Sequence, residues 1–347
     1  MYLRLGIRTA PKSRNCTQIP ESQIFAGSTV CLPGPSCGPQ TLPANFNCLY
    51  SITVPTTDVS GLYANLTVFN GMKGVNDFMI VWDITMMDHT LNSRRGNGTN
   101  SYFVTPGAQM TIQVTTKSVV ECRHELSISI TVSYGTAYIG PNVPMLTGGE
   151  MNFFDLGTLR NPNSAFSSIT FTGKEELFIT TALNYDSPDC ASCFVIDGNF
   201  TNQQGIYKLT DVAYSGWTTN SNQVTVVSFQ DGYVGLVLNT KSEAKQFKIL
   251  AAVAAANSYL PNYAEMEYSQ EAAEIVNFSG TGIIMRDVRI QSSYCNAHIV
   301  SGPPNNSSKF LLDIATGTFP HHFDLPYFTI INYNCSFGFG VEVSNPS

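Results

Sequence analysis

Short runs in which apolar and polar residues strictly alternate, each stopped by a turn residue, constrain this chain more than any other feature. In "NFNCLYSITVP", residues 45 to 55, Cys48, Tyr50, Ile52 and Val54 fall on one face and Asn47, Leu49, Ser51 and Thr53 on the other. A period of two with one apolar face is a β-strand buried on one side. Pro55 has no N–H to give to a ladder and ends the run. "GLYANLTVF" sets Leu62, Ala64, Leu66 and Val68 against Tyr63, Asn65, Thr67 and Phe69, and "LSISITVSY" turns Leu126, Ile128, Ile130 and Val132 inward. "AQMTIQVTT" alternates in the same way. Short strands separated by turn residues predict an all-β fold of antiparallel sandwiches.

The pattern recurs along the chain. "VTTKS" at 114 to 118 has an echo in "LNTKS" at 238 to 242, and "FMIVWD" ending at Asp83 in "CFVIDG" ending at Gly198. A third copy runs from "IVNFSGTG" through "YCNAHIVSG" to "NCSFGFGVEV", where Phe337, Phe339, Val341 and Val343 alternate. A length of 347 residues accommodates two or three such domains. The expected division is an N-terminal tail over 1–15 and sandwiches over 16–135, 150–256 and 264–347, the last the most degenerate, with linkers at 135–149 and 257–266. "SEAKQFKILAAVAAA" has strong helix propensity, but the alternation of Phe247, Ile249, Ala251 and Val253 places it as a strand; "YSQEAAEIV" reads as helix-like by composition.

Charged residues make up only 12% of the chain, and the net charge is −7 with a pI near 5.2. That balance removes the attraction that nucleic acids or anionic membranes require, so neither is an expected partner. No apolar stretch reaches membrane-spanning length, and "GVEVSNPS" carries no hydrophobic anchor tail. "MYLRLGIRTAPKSRNC" lacks the apolar core of a signal peptide, so a secretory signal is expected to have been removed or to lie upstream of Met1.

Secretion is nevertheless the expectation, because nine cysteines occur without paired zinc-finger spacing: Cys16, Cys31, Cys37, Cys48, Cys122, Cys190, Cys193, Cys295 and Cys335. They read as disulfide formers in an oxidising compartment, with the odd count leaving at least one unpaired or intermolecular. Asn15, Asn65, Asn97, Asn199, Asn277, Asn305, Asn306 and Asn334 each begin an N-x-S/T triplet and are candidate glycosylation sites. Asn65 lies opposite the aliphatic face of its strand, where a glycan stands in solvent.

Several stretches resemble the CUB sandwich. "LPANFNCLYSITVP" is similar to the segment that opens that fold, where a proline-containing turn leads to a cysteine, then an aromatic, then an aliphatic at two-residue steps. "DFMIVWD", with Asp77 and Asp83 six apart, resembles a later CUB strand, and "TPGAQMTIQVTTKS" with "LSISITVSY" resembles the closing strands. The divergent CUB-like domains of nematode secreted proteins are the better fit, since the full four-cysteine frame is absent. The resemblance implies that Cys48 bridges to an upstream cysteine, with Cys16, Cys31 and Cys37 as candidate partners. It also implies extracellular binding or adhesion, and an association with pathogen response.

Motifs with sharper chemistry have plainer readings. "GPSCG" matches G-x-S-x-G and would make Ser36 a nucleophile, but Pro33, Pro35 and Pro39 prevent the strand-to-helix elbow that the motif needs. "DCASC" places Cys190 and Cys193 in a C-x-x-C, yet "FVID" continues as a strand where a redox dithiol wants a helix. His321 and His322 are adjacent and point to opposite sides of any strand, so a solvated "FPHHF" loop is expected. Some CUB domains bind calcium, and Asp77 matches one such position. "LTVFNGMKG" lacks the upstream glutamate, and one carboxylate does not fill six to eight oxygen positions. No catalytic residue, metal or cofactor is therefore assigned. The sequence reads as a secreted, glycosylated binding module for an extracellular protein, glycan or microbial surface, and the alternative is a secreted enzyme with an unrecognised site in the second half.

Overall fold

The computed structural model describes residues 16, 18–56, 61–117, 126–159, 166–182, 193–212, 216–228, 235–253, 262–267 and 270–344. Its architecture is all-β, and it divides into two compact units, Met1–Ala137 and Tyr138–Ser347.

Among the described residues, nine strands occupy the first unit. They are β1 (Thr29–Leu32), β2 (Gln40–Thr41), β3 (Asn47–Thr53), β4 (Leu62–Met72) and β5 (Phe78–Trp82), then β6 (Asp88–Asn92), β7 (Gly98–Val104), β8 (Gln109–Thr115) and β9 (Leu126–Thr136). They form two antiparallel sheets, β1-β9-β4-β7 with β2 on β9, and β3-β8-β5-β6. Alternation decides which side chains fill the space between them. Cys48, Tyr50, Ile52, Val54, Leu62, Ala64, Leu66, Val68, Ile128, Ile130 and Val132 are all buried.

The second unit contains two more sandwiches. In the first of these are β10 (Tyr138–Pro144), β11 (Asn152–Asp155), β12 (Ser167–Thr172), β13 (Leu177–Ala182) and β14 (Cys193–Asn199). They are followed by β15 (Asn202–Lys208), β16 (Trp217–Thr218), β17 (Gln223–Ser228) and β18 (Gly235–Thr240), with a short helix α1 (Leu209–Val212). After helix α2 (Lys241–Ala244) come β19 (Lys248–Val253), β20 (Asn262–Met266), β21 (Glu271–Val276), β22 (Ile283–Ile290) and β23 (Ala297–Val300). The last four strands are β24 (Phe310–Asp313), β25 (His321–Phe323), β26 (Tyr327–Asn332) and β27 (Phe337–Val343).

Strand order exposes the repeat. The sheets β10-β12-β17-β14-β15 and β11-β18-β13-β16 recur nine strands later as β19-β21-β26-β23-β24 and β20-β27-β22-β25. Among the described residues the first unit follows the same plan, β3-β8-β5-β6 matching β12-β17-β14-β15, without the leading strand. One inward row shows the equivalence in register: Tyr50, Ile112 and Val81 in the first sandwich, Ile169, Val226 and Val195 in the second, Ala273, Ile330 and Ile299 in the third. "FMIVWD" and "CFVIDG" are equivalent, on β5 and β14. "VTTKS" and "LNTKS" are not, because the first ends β8 and the second ends β18, whose counterpart is β9.

Three expectations change. Residues 135–149 are not simply a linker, since β10 pairs with β12, and that pair is parallel, as is β19 with β21. Residues 257–266 include β20, which pairs with β27. "YSQEAAEIV" yields a strand, β21, with all six residues buried. Its two faces meet different cores, so no alternation marks it, and tertiary packing overrides its helix propensity.

One face of β21 belongs to the core of its own sandwich, with Ala273 and Ile275 among Phe328, Phe339 and Val341. The other packs on the preceding sandwich, where Val276 meets Met151, Ala182 and Val237. Phe153 lies 5.7 Å from Phe278 and 5.6 Å from Tyr327 between ring centroids in the same cluster. Gly302 sits against the carbonyl of Gly149, leaving no room for a Cβ.

Candidate functional site

Within the second unit, the β19-β21-β26-β23-β24 sheet is covered over part of its outer face by the preceding sandwich. Where that cover ends, a cavity of about 420 Å³ opens, floored by His298, Val300, Phe310, Ile331 and Tyr333. Ile331 comes from β26, with Tyr333 just past its end, His298 and Val300 from the adjacent β23 and Phe310 from β24; Ile331, His298 and Val300 alternate with the core residues Ile330 and Ile299. Three rings form a row: Tyr333 to His298 is 5.7 Å at 32°, and His298 to Phe310 is 5.9 Å at 39°. Phe247 meets Tyr333 edge-on at 6.0 Å.

One wall is α2 and the turn after it, contributing Ser242, Glu243, Gln246 and Phe247; the other is the β23–β24 loop, with Pro304, Asn305, Asn306 and Ser308. Local sequence builds the first wall. Thr240 caps α2 in a reciprocal capping box with Glu243. Glu243 Oε2 accepts from the Thr240 N–H at 2.8 Å and hydroxyl at 3.0 Å, while its Oε1 accepts from Asn305 Nδ2 at 2.6 Å. Asn305 Nδ2 also donates to the Gly148 carbonyl. The two walls are thus tied together through one carboxylate.

Burial lowers the pKa of His298, with Asp313 partly opposing, so the imidazole is neutral at neutral pH and offers one donor and one acceptor. Among the described residues, no lysine or arginine lines the cavity. The site is not legible in the sequence, because its residues lie in three separated stretches from two sandwiches. The T-x-x-E of the capping box was the one local signal within it.

The disulfides fix other parts of the fold. Cys16 is bonded to Cys48 at the head of β3, Cys31 to Cys37, and Cys295 to Cys335. Cys193 is also disulfide-bonded. Cys122 and Cys190 lie outside the described residues. Ser36 sits in the loop closed by Cys31 and Cys37, its hydroxyl accepting from the Gly38 N–H. His321 and His322 belong to β25, paired with β22, not to a loop.

The candidate glycan acceptors differ sharply in environment. Asn97, Asn306 and Asn334 are exposed. Asn65 is half-buried on the central strand β4, its Oδ1 shielded from solvent. Asn199 Nδ2 donates to Gln223 at 2.7 Å. Asn277 is buried, and its Nδ2 donates to the Thr281 carbonyl, the Thr281 hydroxyl and the Gly282 carbonyl. Asn277 Nδ2 is thus committed within its own turn, and Asn305 Nδ2 to Glu243 and the Gly148 carbonyl. Asn15 lies outside the described residues.

Asp77 and Asp83 flank β5 and do not converge. Asp77 Oδ1 accepts from the Lys117 N–H at 2.7 Å. Asp83 Oδ1 accepts from the Thr85 N–H and hydroxyl and from the Met87 N–H, and its Oδ2 meets His89 Nε2 at 2.7 Å. Among the described residues, no three His, Cys, Asp or Glu side chains are grouped to hold a metal ion, and no helix is long and apolar enough to cross a membrane.

Residues 12–136 match the family described as "CUB-like domain". No curated protein matches the chain. Among solved structures, the CUB1-EGF-CUB2 domains of rat MASP-1 align at 12% identity and a TM-score of 0.22, covering 61% of this chain and 97% of that one. The same domains of human MASP-1/3 give 13% and 0.21, covering 61% and 98%. A triple jelly roll protein from an archaeal virus gives 12% and 0.24, covering 87% and 82%.

Proposed function

We propose that the chain is a secreted, glycosylated recognition protein that binds extracellular surfaces and performs no catalysis. The match of residues 12–136 to the CUB-like domain carries this reading, since that family resembles binding modules. Cys16, Cys31, Cys37, Cys48, Cys193, Cys295 and Cys335 are disulfide-bonded, which suits an oxidising compartment. Sandwiches present loops from a rigid frame, an arrangement suited to surfaces. Several copies of one plan in a single chain add avidity on a repetitive target. Nematode-type innate defence, with a microbial surface as the target, is the biological setting we favour, and division into three domains at 16–135, 150–256 and 264–347 is part of the same proposal.

The test is co-sedimentation of the full glycosylated chain with intact bacteria, yeast and host cells. Retention on at least one surface, unchanged by a calcium chelator, is expected. Turnover of a peptide, lipid or glycan by the purified chain, lost on one point substitution, would replace this reading with an enzyme.

A further inference from the structure

The aromatic shelf in the second unit is a built site that the family match, confined to residues 12–136, does not touch. From its geometry we infer that the cavity between α2 and the β23–β24 loop binds a neutral saccharide, with Tyr333, His298 and Phe310 as the stacking floor. This deepens the binding reading above and rests on it.

Three features select the ligand. Successive rings 5.7 and 5.9 Å apart, tilted by 32° and 39°, make one continuous aromatic row. Phe310 is 58% exposed and Tyr333 41%, so both rings are open to a ligand. A pyranose ring has a matching shape, with C–H bonds on its faces and hydroxyls around its edge. The rings contribute apolar contact at low entropic cost, each having few rotatable bonds.

Hydroxyls need groups that both donate and accept. Gln246 and Asn306 on the walls have that capacity, Ser308 Oγ, whose hydrogen goes to the Pro303 carbonyl, adds an acceptor, and neutral His298 adds one donor and one acceptor. Glu243 is committed to Thr240 and Asn305, so it holds the walls and is not the recognition group.

Charge removes the main competitors. With no lysine or arginine among the described lining residues, a phosphate, sulfate or carboxylate meets no counter-charge there. A wholly apolar ligand would leave the amides and hydroxyls unpaired on burial. Strand addition by a peptide uses a sheet edge, whereas the floor here is a sheet face. A volume of about 420 Å³ is within the range of small-ligand sites.

The experiment uses the full chain and soluble probes: chitotetraose, mannotetraose, laminaritetraose and, as the anionic comparator, a heparin hexasaccharide. Calorimetry gives affinity, and saturation-transfer NMR reads ring contact with the sugar C–H groups. At least one neutral tetrasaccharide is expected to bind. Phe310→Ala and Tyr333→Ala should each weaken it about tenfold, Phe310→Trp should retain it, and Tyr263→Ala, an exposed ring on another sheet, should change nothing. Binding to none of the neutral probes overturns the inference, as does binding of heparin alone. Neutral binding indifferent to Phe310 and Tyr333 also overturns it, and places the recognition function elsewhere in the chain. Binding that appears only after enzymatic removal of N-glycans would show the chain's own glycan, attached at Asn306, as the occupant, and overturns an external ligand. Cell-surface retention that persists in Phe310→Ala separates failure of this site from failure of the binding role.

Discussion

Asn239 of β18 donates its side-chain amide to Glu274 of β21 at 2.9 Å, joining two sandwiches of the second unit through a fully buried carboxyl group. Glu274 is 0% exposed, and it sits on the outward face of its strand beside Val276, which packs on the neighbouring sheet. A glutamate there is tolerable because it is neutral. Burial pushes its pKa up from 4.5 to about 8, the Asn239 hydrogen bond opposing and the charge of Glu243 adding.

That shift makes the docking of the two sandwiches pH-sensitive. The folded chain binds the proton more tightly than the unfolded chain, so the contribution of Glu274 is intact below about 4.5. It declines as pH rises and is lost as pH passes through about 8, a difference on the order of a few kcal/mol. Thermal unfolding followed at Trp217, in a Trp82→Phe background, should fall between pH 5 and pH 9. Glu274→Gln keeps the hydrogen bond without the charge and should flatten that slope. Equal slopes in the two proteins would remove Glu274 as the cause.

The disulfides of the first unit should differ in worth according to the loops they close. Cys16 and Cys48 are 32 residues apart, Cys31 and Cys37 only 6. Loop closure in the unfolded chain then gives about 3 to 4 kcal/mol for the first and about 2 kcal/mol for the second. Paired replacement by alanine, read at Trp82 in a Trp217→Phe background during urea unfolding, should reproduce that order. The reverse order would mean that the N-terminal staple is not part of the cooperative unit.

How much was legible follows from where water lies. Strands β3, β4 and β9 each have one face that reaches water, so Tyr50, Leu66 and Ile130 were identifiable as core from alternation alone, whereas in β27 Glu342, opposite Phe339, is buried as well. Strand β21 has no wet face, and its Glu-Ala-Ala-Glu composition pointed to a helix. Strand β10 gains its place from parallel pairing with β12, a non-local contact that leaves Tyr138 and Ile139 exposed and patternless. The cavity was beyond reach for the same reason, since Phe247, His298 and Tyr333 meet only after two sandwiches have docked.

Calcium should leave the first unit unchanged. Asp77 and Asp83 stand at opposite ends of β5, about 20 Å apart at ~3.3 Å per residue, and do not share an ion. Burial raises the pKa of Asp83, but hydrogen bonds from Thr85 and His89 outweigh it and hold it below 3.8. Its contribution is therefore present above 3.8 and is lost as pH falls below that value. The Trp82 transition should be indifferent to millimolar calcium or chelator at pH 7. Asp83→Ala should cost about 1 to 2 kcal/mol through the lost turn bonds. A calcium-dependent rise in the midpoint would require a site that these carboxylates do not form.

Glycan occupancy should sort by what each acceptor nitrogen already does. Asn277 is 2% exposed with three hydrogen bonds from Nδ2, and Asn305 Nδ2 holds Glu243 and the Gly148 carbonyl. Attaching a sugar at either nitrogen breaks those bonds and buries unpaired acceptors, at about 1 to 3 kcal/mol for each group left unsatisfied. Asn97, Asn306 and Asn334 have exposed side chains. Glycopeptide mapping of the chain expressed through a eukaryotic secretory pathway should therefore find glycans among these three and bare peptides at Asn277 and Asn305. Asn277→Ala should lower the midpoint of the second unit, whereas Asn97→Gln should leave both units unchanged. A glycan on Asn277 in folded, soluble protein would show that the Asn277–Gly282 turn is built differently from the structure described.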